Sequence, residues 1–350
     1  MFVKGKSNGS VNNTVQLAQQ PKLWAARRKQ RGQNVLKYLI RRILIALPVI
    51  LGVTIITYTI ISLAPGDIVD LQVDPNMSAA DRAQMRRDLG LDKPIYVRYA
   101  VWLKETATGN LGYSYLNRQP VSQRIGERIG PTLLLSLAAL VLAYLVAIPV
   151  GVISATRQYS WLDYGSSIFA LIFVSIPGFF FGIGLIFFFS LRLDWLPVSG
   201  MRSLGIEPSM ADLTLHLILP AIVLSAATMG AVTRYTRSSM LDVVRQDYIR
   251  TARAKGVAER LVVYKHALRN ALIPVITLLG LQVPGLLGGA IITEQVFSWP
   301  GMGRLALEAI QQRDYPVLMG LNLLTAILVV AGGLVADMLY SVADPRIRYS

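Results

Sequence analysis

The sequence predicts an all-α integral membrane protein with six transmembrane helices, and three observations carry that prediction. Hydrophobic residues make up 53% of the 350-residue chain and charged residues only 16%, with a mean hydropathy of +0.47; soluble domains carry about a quarter charged residues. Six apolar stretches reach the length of about 20 residues that crosses a bilayer core as helix. No train of alternating ten-residue segments, which a barrel would need, is present.

The stretches are Ile43–Leu63, Thr132–Ile153, Gly165–Leu191, Leu213–Thr233, Ala271–Ile292 and Val317–Leu339. The third is the longest, which suggests tilt or an interfacial start. Residues 1–42 hold ten Lys or Arg and no acid. By the positive-inside rule this places the N-terminus in the cytoplasm, and six spans return the C-terminus there. The connection 234–270 then falls inside with nine basic and three acidic residues, while 191–214 and 293–315 fall outside with two basic and three acidic residues each. The outside connection 64–131 is too long for its charge to bear on orientation.

Residues 1–36 read as a basic cytoplasmic tail, with anionic lipid binding by Arg27–Lys29 and Arg31 as an alternative. Residues 37–348 read as one transmembrane domain. The outside region 64–131 is long enough to be structured. Ser78-Ala79-Ala80-Asp81 resembles a capping box and Gly90 could close the helix it starts. After Pro94, a second amphipathic helix would carry Tyr96, Tyr99 and Trp102 at headgroup depth. That face is suited either to membrane packing or to an outside partner.

Composition also excludes chemistry. Without cysteine there is no disulfide, thiolate metal site or catalytic thiol. His216 and His266 lie fifty residues apart, and no HExxH helix, phosphate loop or nucleophile–base set is present. The net charge of +15, a pointer to nucleic acid in a soluble protein, here follows the membrane. Within the spans only His216 and Asp337 ionise, both near span ends, so the midplane ion site of a gradient-driven carrier is missing. Prolines and glycines nonetheless punctuate the spans. Ser175, Pro177, Gly178, Gly285 and Gly288 are candidates for lining or gating a path. A path without an energy source implies a motor on another chain.

The loop 234–270 could receive it. Met240, Leu241, Val244, Tyr248 and Ala252 form an amphipathic helical stripe, Gly256 interrupts it, and Val257, Leu261, Tyr264, Leu268 and Leu272 restart one. Thr251, Ala252 and Ala254 are small enough for close approach by a partner, and Arg250, Arg253 and Lys255 could pair with its acids.

The stretch Tyr248-Ile249-Arg250-Thr251-Ala252-Arg253-Ala254-Lys255-Gly256 resembles the motif through which ABC-importer permeases engage their ATPases. Arg250-Thr251-Ala252 stands where that superfamily has Glu-Ala-Ala. His266-Ala267-Leu268-Arg269 replaces its Ile-x-Leu-Pro, and the proline arrives at Pro274. This version is similar to that of the dipeptide/oligopeptide/nickel branch. Ala64-Pro65-Gly66-Asp67, Leu89-Gly90-Leu91-Asp92-Lys93-Pro94 and Gly109-Asn110-Leu111-Gly112 also resemble that branch. So do Ser175-Ile176-Pro177-Gly178, Leu196-Pro197-Val198-Ser199-Gly200, the run from Glu294 to Gly303, Arg313-Asp314-Tyr315-Pro316 and Asp344-Pro345-Arg346. Pro65-Gly66-Asp67 and the long first outside loop resemble its B-type subunit.

The resemblance implies the six-helix fold of type I ABC-importer permeases and a non-catalytic subunit of an ATP-driven, binding-protein-dependent importer of di- or oligopeptides in a prokaryotic cell (inner) membrane. It implies a homologous second permease, two ATPase subunits that hold ATP and magnesium, and an extracytoplasmic binding protein, with no cofactor on this chain. Arg250, Thr251, Ala252, Arg253, Ala254, Lys255 and Gly256 would couple it to the ATPases. A nickel chelate, glutathione, an oligosaccharide or another small solute is the alternative cargo; a stand-alone secondary transporter is the alternative of another class.

Overall fold

The computed structural model describes residues 41–66, 68–71, 78–205, 207–282, 285–286 and 290–343. The basic tail, Asp67, Gly288, the side chain of Asp337 and Asp344-Pro345-Arg346 lie outside the described residues. Among these residues the secondary structure is helical; one isolated bridge joins Tyr113 and Pro120.

The first apolar stretch forms α1 over 41–63. A short turn of helix, α2 (Ile68–Leu71), precedes α3 (Ala79–Asp88) and α4 (Ile95–Ala107). Ser78 caps α3 by accepting the Asp81 N–H. Gly90 and Gly109, with φ of +67° and +87°, end α3 and α4 in the left-handed region, where the absence of a Cβ removes the penalty. The aromatic face of α4 turns inward in part: Tyr99 stacks edge-on against Tyr58 of α1, Trp102 lies beside it, and the Tyr99 and Thr54 hydroxyls hydrogen bond at 3.0 Å. Tyr96 alone of the three stays largely exposed.

The second span begins earlier than its hydropathy suggests. α5 runs Val121–Thr156, 36 residues, or about 54 Å at 1.5 Å per residue, so it projects beyond a ~30 Å hydrocarbon core. Its buried stripe Ala139, Ala143, Ala147, Gly151 and Ala155 repeats every four residues, letting another helix come close. That helix is α8 (Met210–Val244). Leu135 shares a cluster with Ala221, and Ala143 and Ala147 with Met229 and Val232. At Gly151 a Cβ would lie 2.6 Å from Thr236 Cβ. The pairing advances in step, so α5 and α8 run parallel.

The third predicted span, Gly165–Leu191, is not one tilted helix. It divides into α6 (Trp161–Ser175) and α7 (Gly178–Leu185, continued by a π-helical stretch Ile186–Arg192), bent by 105°. Pro177 has no N–H for the Phe173 carbonyl and forces its predecessor out of the helical region; Ile176 is extended at φ −76°, ψ 126°. The partners of this pair still climb α8 in order: Asp163 bonds Arg237, Ala170 abuts Gly230, and Gly178 abuts Val223. It is one broken crossing, which keeps the predicted total at six.

Two further boundaries move. α9 (Asp247–Ala254) follows α8, and the fifth crossing, α10, spans Glu259–Gln282. Its described part runs to Gln282, and the predicted end, Ile292, belongs to α11 (Ile291–Val296). α12 (Met302–Gln311) and α13 (Tyr315–Ala343) complete the chain.

Candidate functional site

The predicted helix through Met240 and Ala252 is broken where α8 ends at Val244 and Gln246 turns extended. The break lets both apolar positions enter one core. Met240 from α8 and Ile249 from α9 are fully buried with Val152 and Ala155 of α5 and Val262, Val263, Ala267 and Ala271 of α10. Within α10 a π-helical turn, Val262–Ala267, puts residues five apart on one face, which is how Val262 and Ala267 are both buried. Eight residues are too few for a helix stable on its own. α9 is held by Ile249, by the Asn270 amide donating to the Tyr248 hydroxyl at 2.7 Å, and by its cap.

That cap is a Schellman motif. Gly256 N–H donates to the Arg253 carbonyl (2.9 Å), Val257 N–H to that of Ala252 (3.3 Å), and Gly256 has φ +74°, the left-handed conformation its place in the sequence predicts. Arg253 clamps the turn through a two-pronged pair with Glu259, at 2.7 and 3.1 Å. Donating these hydrogen bonds to Glu259 raises the Arg253 pKa further. Arg250, Thr251, Arg253, Ala254, Lys255 and Gly256 are exposed, and Ala252 half-buried. Lys255 has no acidic partner among the described residues. The seven predicted coupling residues thus form one cationic, small-residue surface on a short helix plugged into the ends of α5, α8 and α10.

The path candidates separate into two places. Ser175, Pro177 and Gly178 form the exposed break between α6 and α7. Gly285 lines a cavity of about 360 Å³ with Ser136, Leu224, Thr228 and Gln282. The break abuts Val223 and the cavity Leu224, so both lie at one level of α8.

Sequence reading missed three buried carboxylates, each tied to a different height of α5. Asp314 accepts from Ser114, the Tyr115 N–H and Arg124. Glu294, fully buried, accepts from the Thr132 hydroxyl at 2.8 Å and the Arg304 N–H at 2.9 Å. Asp163 accepts from Ser154, the Tyr159 N–H and both prongs of Arg237 at 2.6 and 2.8 Å. The run Glu294–Gly303 is therefore structural: Trp299 Nε1 donates to the Pro131 carbonyl, and a Cβ on Gly301 would fall 2.2 Å from the Glu294 carboxyl.

Residues 147–349 match the model of the family described as Binding-protein-dependent transport system inner membrane component, and residues 35–138 match its N-terminal companion. The chain belongs to this family. The resemblance read from its motifs therefore holds: this is a multi-pass membrane permease of binding-protein-dependent ABC transport. It is 49% identical over 313 residues to the oligopeptide transport system permease protein AppB of Bacillus subtilis, covering 89% of this chain and 99% of that one. The di/tripeptide transport system permease protein DppB of Pseudomonas aeruginosa is 44% identical over 338 residues, 90% of this chain and 99% of the relative. The glutathione transport system permease protein GsiC of Pectobacterium atrosepticum is 41% identical over 315 residues, 90% and 100%. Among solved structures, a chain of the inward-facing MetNI methionine ABC transporter matches with a TM-score of 0.49 at 17% identity, over 63% of this chain and 96% of that one.

Proposed function

We propose that this chain imports di- or oligopeptides as one half of a translocation path, the other half being a homologous second permease. Two ATPase subunits bind α9 and the Gly256 turn from the cytoplasm, hold the ATP and magnesium, and drive the cycle. A binding protein delivers peptide from the opposite side, and both termini are cytoplasmic. The carrying observation is α9: an amphipathic helix whose one buried residue, Ile249, enters the shared core of three crossing helices while its cationic, small-residue face is left open. A push on such an element reaches all three helix ends at once. The peptide relatives at 44–49% identity support the cargo. In this reading the domain spans 37–348, with 64–131 outside and 234–270 inside. Ser175, Pro177, Gly178, Gly285 and Gly288 are its path candidates.

The test is reconstitution of the chain with its second permease, ATPases and binding protein in proteoliposomes. Uptake of labelled di- and oligopeptides should require ATP on the ATPase side and the binding protein on the other. Glutathione or nickel-chelate uptake without peptide uptake would reassign the cargo. Gradient-driven flux through this chain alone would overturn the assignment.

A further inference from the structure

Between the end of α1, α4 and the start of α13 lies a second cavity, of about 390 Å³, whose walls include Tyr58, Arg98, Trp102, Tyr115 and Tyr315. Its donors lack acceptors. Arg98 Nε and Trp102 Nε1 are both closed to solvent without a hydrogen-bond partner, and Arg98 forms no ion pair among the described residues. Both groups only donate, and their residues, four apart on one face of α4, both line the cavity. Two acids also line it, each accepting from a neutral amide: Asp88 from Gln84 at 2.8 Å and Glu105 from Asn110 at 3.1 Å. Lys93 and Arg118 add two more cations to the lining. A cavity lined by three cations against two acids, with Arg98 and Trp102 lacking acceptors, suits an oxyanion.

Its position selects the source. The cavity opens where the apolar run of α1 ends, between a membrane-crossing helix and an amphipathic one. Tyr58, Tyr99 and Trp102 cluster there as aromatic residues do at headgroup depth. Its wall also includes Ile61 and Val101, and Val101 is half exposed. We infer that this cavity holds the phosphate of a membrane phospholipid, with Arg98 and Trp102 as its donors and a preference for a net anionic headgroup.

The experiment is native mass spectrometry of the full chain, in detergent, titrated with phosphatidylglycerol and with phosphatidylcholine of the same acyl length. Inorganic phosphate and a dipeptide serve as competitors. One phosphatidylglycerol should bind in preference to phosphatidylcholine. Arg98→Gln should weaken it about tenfold or more, the effect of losing a hydrogen bond to a charged group. Trp102→Phe keeps an aromatic ring while removing the donor, and should weaken it several-fold. That variant decides the matter if Arg98→Gln fails to fold. Lys104→Gln, on the same helix but away from the cavity, should bind as the wild type does. Equal lipid binding by wild type and Trp102→Phe would overturn the inference. Displacement by inorganic phosphate with no lipid preference would reassign the cavity to a free anion, and displacement by dipeptide would reassign it to substrate; either result also overturns the lipid site.

Discussion

Replacing Gly256 tests how the proposed motor contact works, because the turn and the surface can be separated. The residue sits at φ +74° with no heavy atom within 4 Å of where a Cβ would stand. A side chain there meets nothing within this chain, and the cost is conformational. For an ordinary residue the left-handed backbone costs about 1–2 kcal/mol, a factor of roughly 5–30 in the population of the intact turn. Gly256→Val should therefore insert and assemble its crossings normally but lose the Schellman bonds from 256 and 257 in part of the population. Gly256→Asn adds a side chain while tolerating the left-handed region. Each complex is assayed for ATPase association, ATP hydrolysis and peptide uptake. If turn geometry carries the coupling, Val uncouples uptake from hydrolysis and Asn retains it; if close approach carries it, both lose ATPase binding. A Gly256→Val complex unchanged in all three measurements would refute the reasoning.

Gly301→Ala should destabilise the fold by about 1–3 kcal/mol from overpacking, seen as a lower melting temperature in detergent, since its methyl displaces the buried Glu294 carboxyl. Asp163→Asn should cost up to about 3 kcal/mol by stranding Arg237, somewhat less than a fully buried pair because Arg237 keeps 32% of its side-chain exposure; adding Arg237→Met should recover part of that loss in the same melting assay. Lys255→Glu should weaken ATPase association more at low than at high salt. Arg253→Glu should do more, because it also faces Glu259 across the turn, and the two variants are compared by pull-down at two ionic strengths.

The features legible in sequence are those set by neighbours along the chain. Ser78 with Asp81, Gly90 and Gly256 are caps, and a cap is fixed by residues within a turn of it. The apolar lengths gave the crossings for the same reason. Proline was a poorer guide: α5, α8 and α10 continue through Pro149, Pro220 and Pro274, whereas the chain breaks at Pro177. Pro177 is followed by Gly178, a weak helix former, and the break is exposed, while Pro220 is buried within α8. Pro149 and Pro274 are exposed too, so exposure does not decide the matter; of these four prolines Pro177 is the one followed by glycine. Glu294 was hidden by distance along the chain. Hydropathy places it in a polar connection, but its partner Thr132 lies 162 residues away, and only the folded chain brings a carboxylate there under cover. The coupling residues were found because their turn chemistry is local; the way Ile249 anchors them was not, because its socket is drawn from three distant helices.

Those distant ties indicate how a displacement of α9 would spread in the proposed cycle. Ile249 shares a core with Val152 and Ala155 of α5, and between those two Ser154 binds Asp163 of α6, which binds Arg237 of α8. The ends of α5, α6 and α8 are therefore joined by buried polar bonds just where α9 is plugged in, and would move as a unit. Further along the chain the ties change. Phe181, Leu185 and Phe189 of α7 pack with Leu219, Val223 and Phe297, and a Cβ on Gly182 would lie 3.2 Å from the Phe297 ring. Phe297 follows α11, whose Glu294 is fastened to Thr132 far up α5. So both halves of the third crossing rest on the one continuous helix α8, α7 adding the tie to Phe297, and Phe173 meets Phe181 edge-on across the break. With no helical hydrogen bond from Pro177 to resist bending, Ile176 and Pro177 are where this crossing bends. A displacement of α9 would reach the break through α8, which carries Arg237, Gly230 and Val223 in turn.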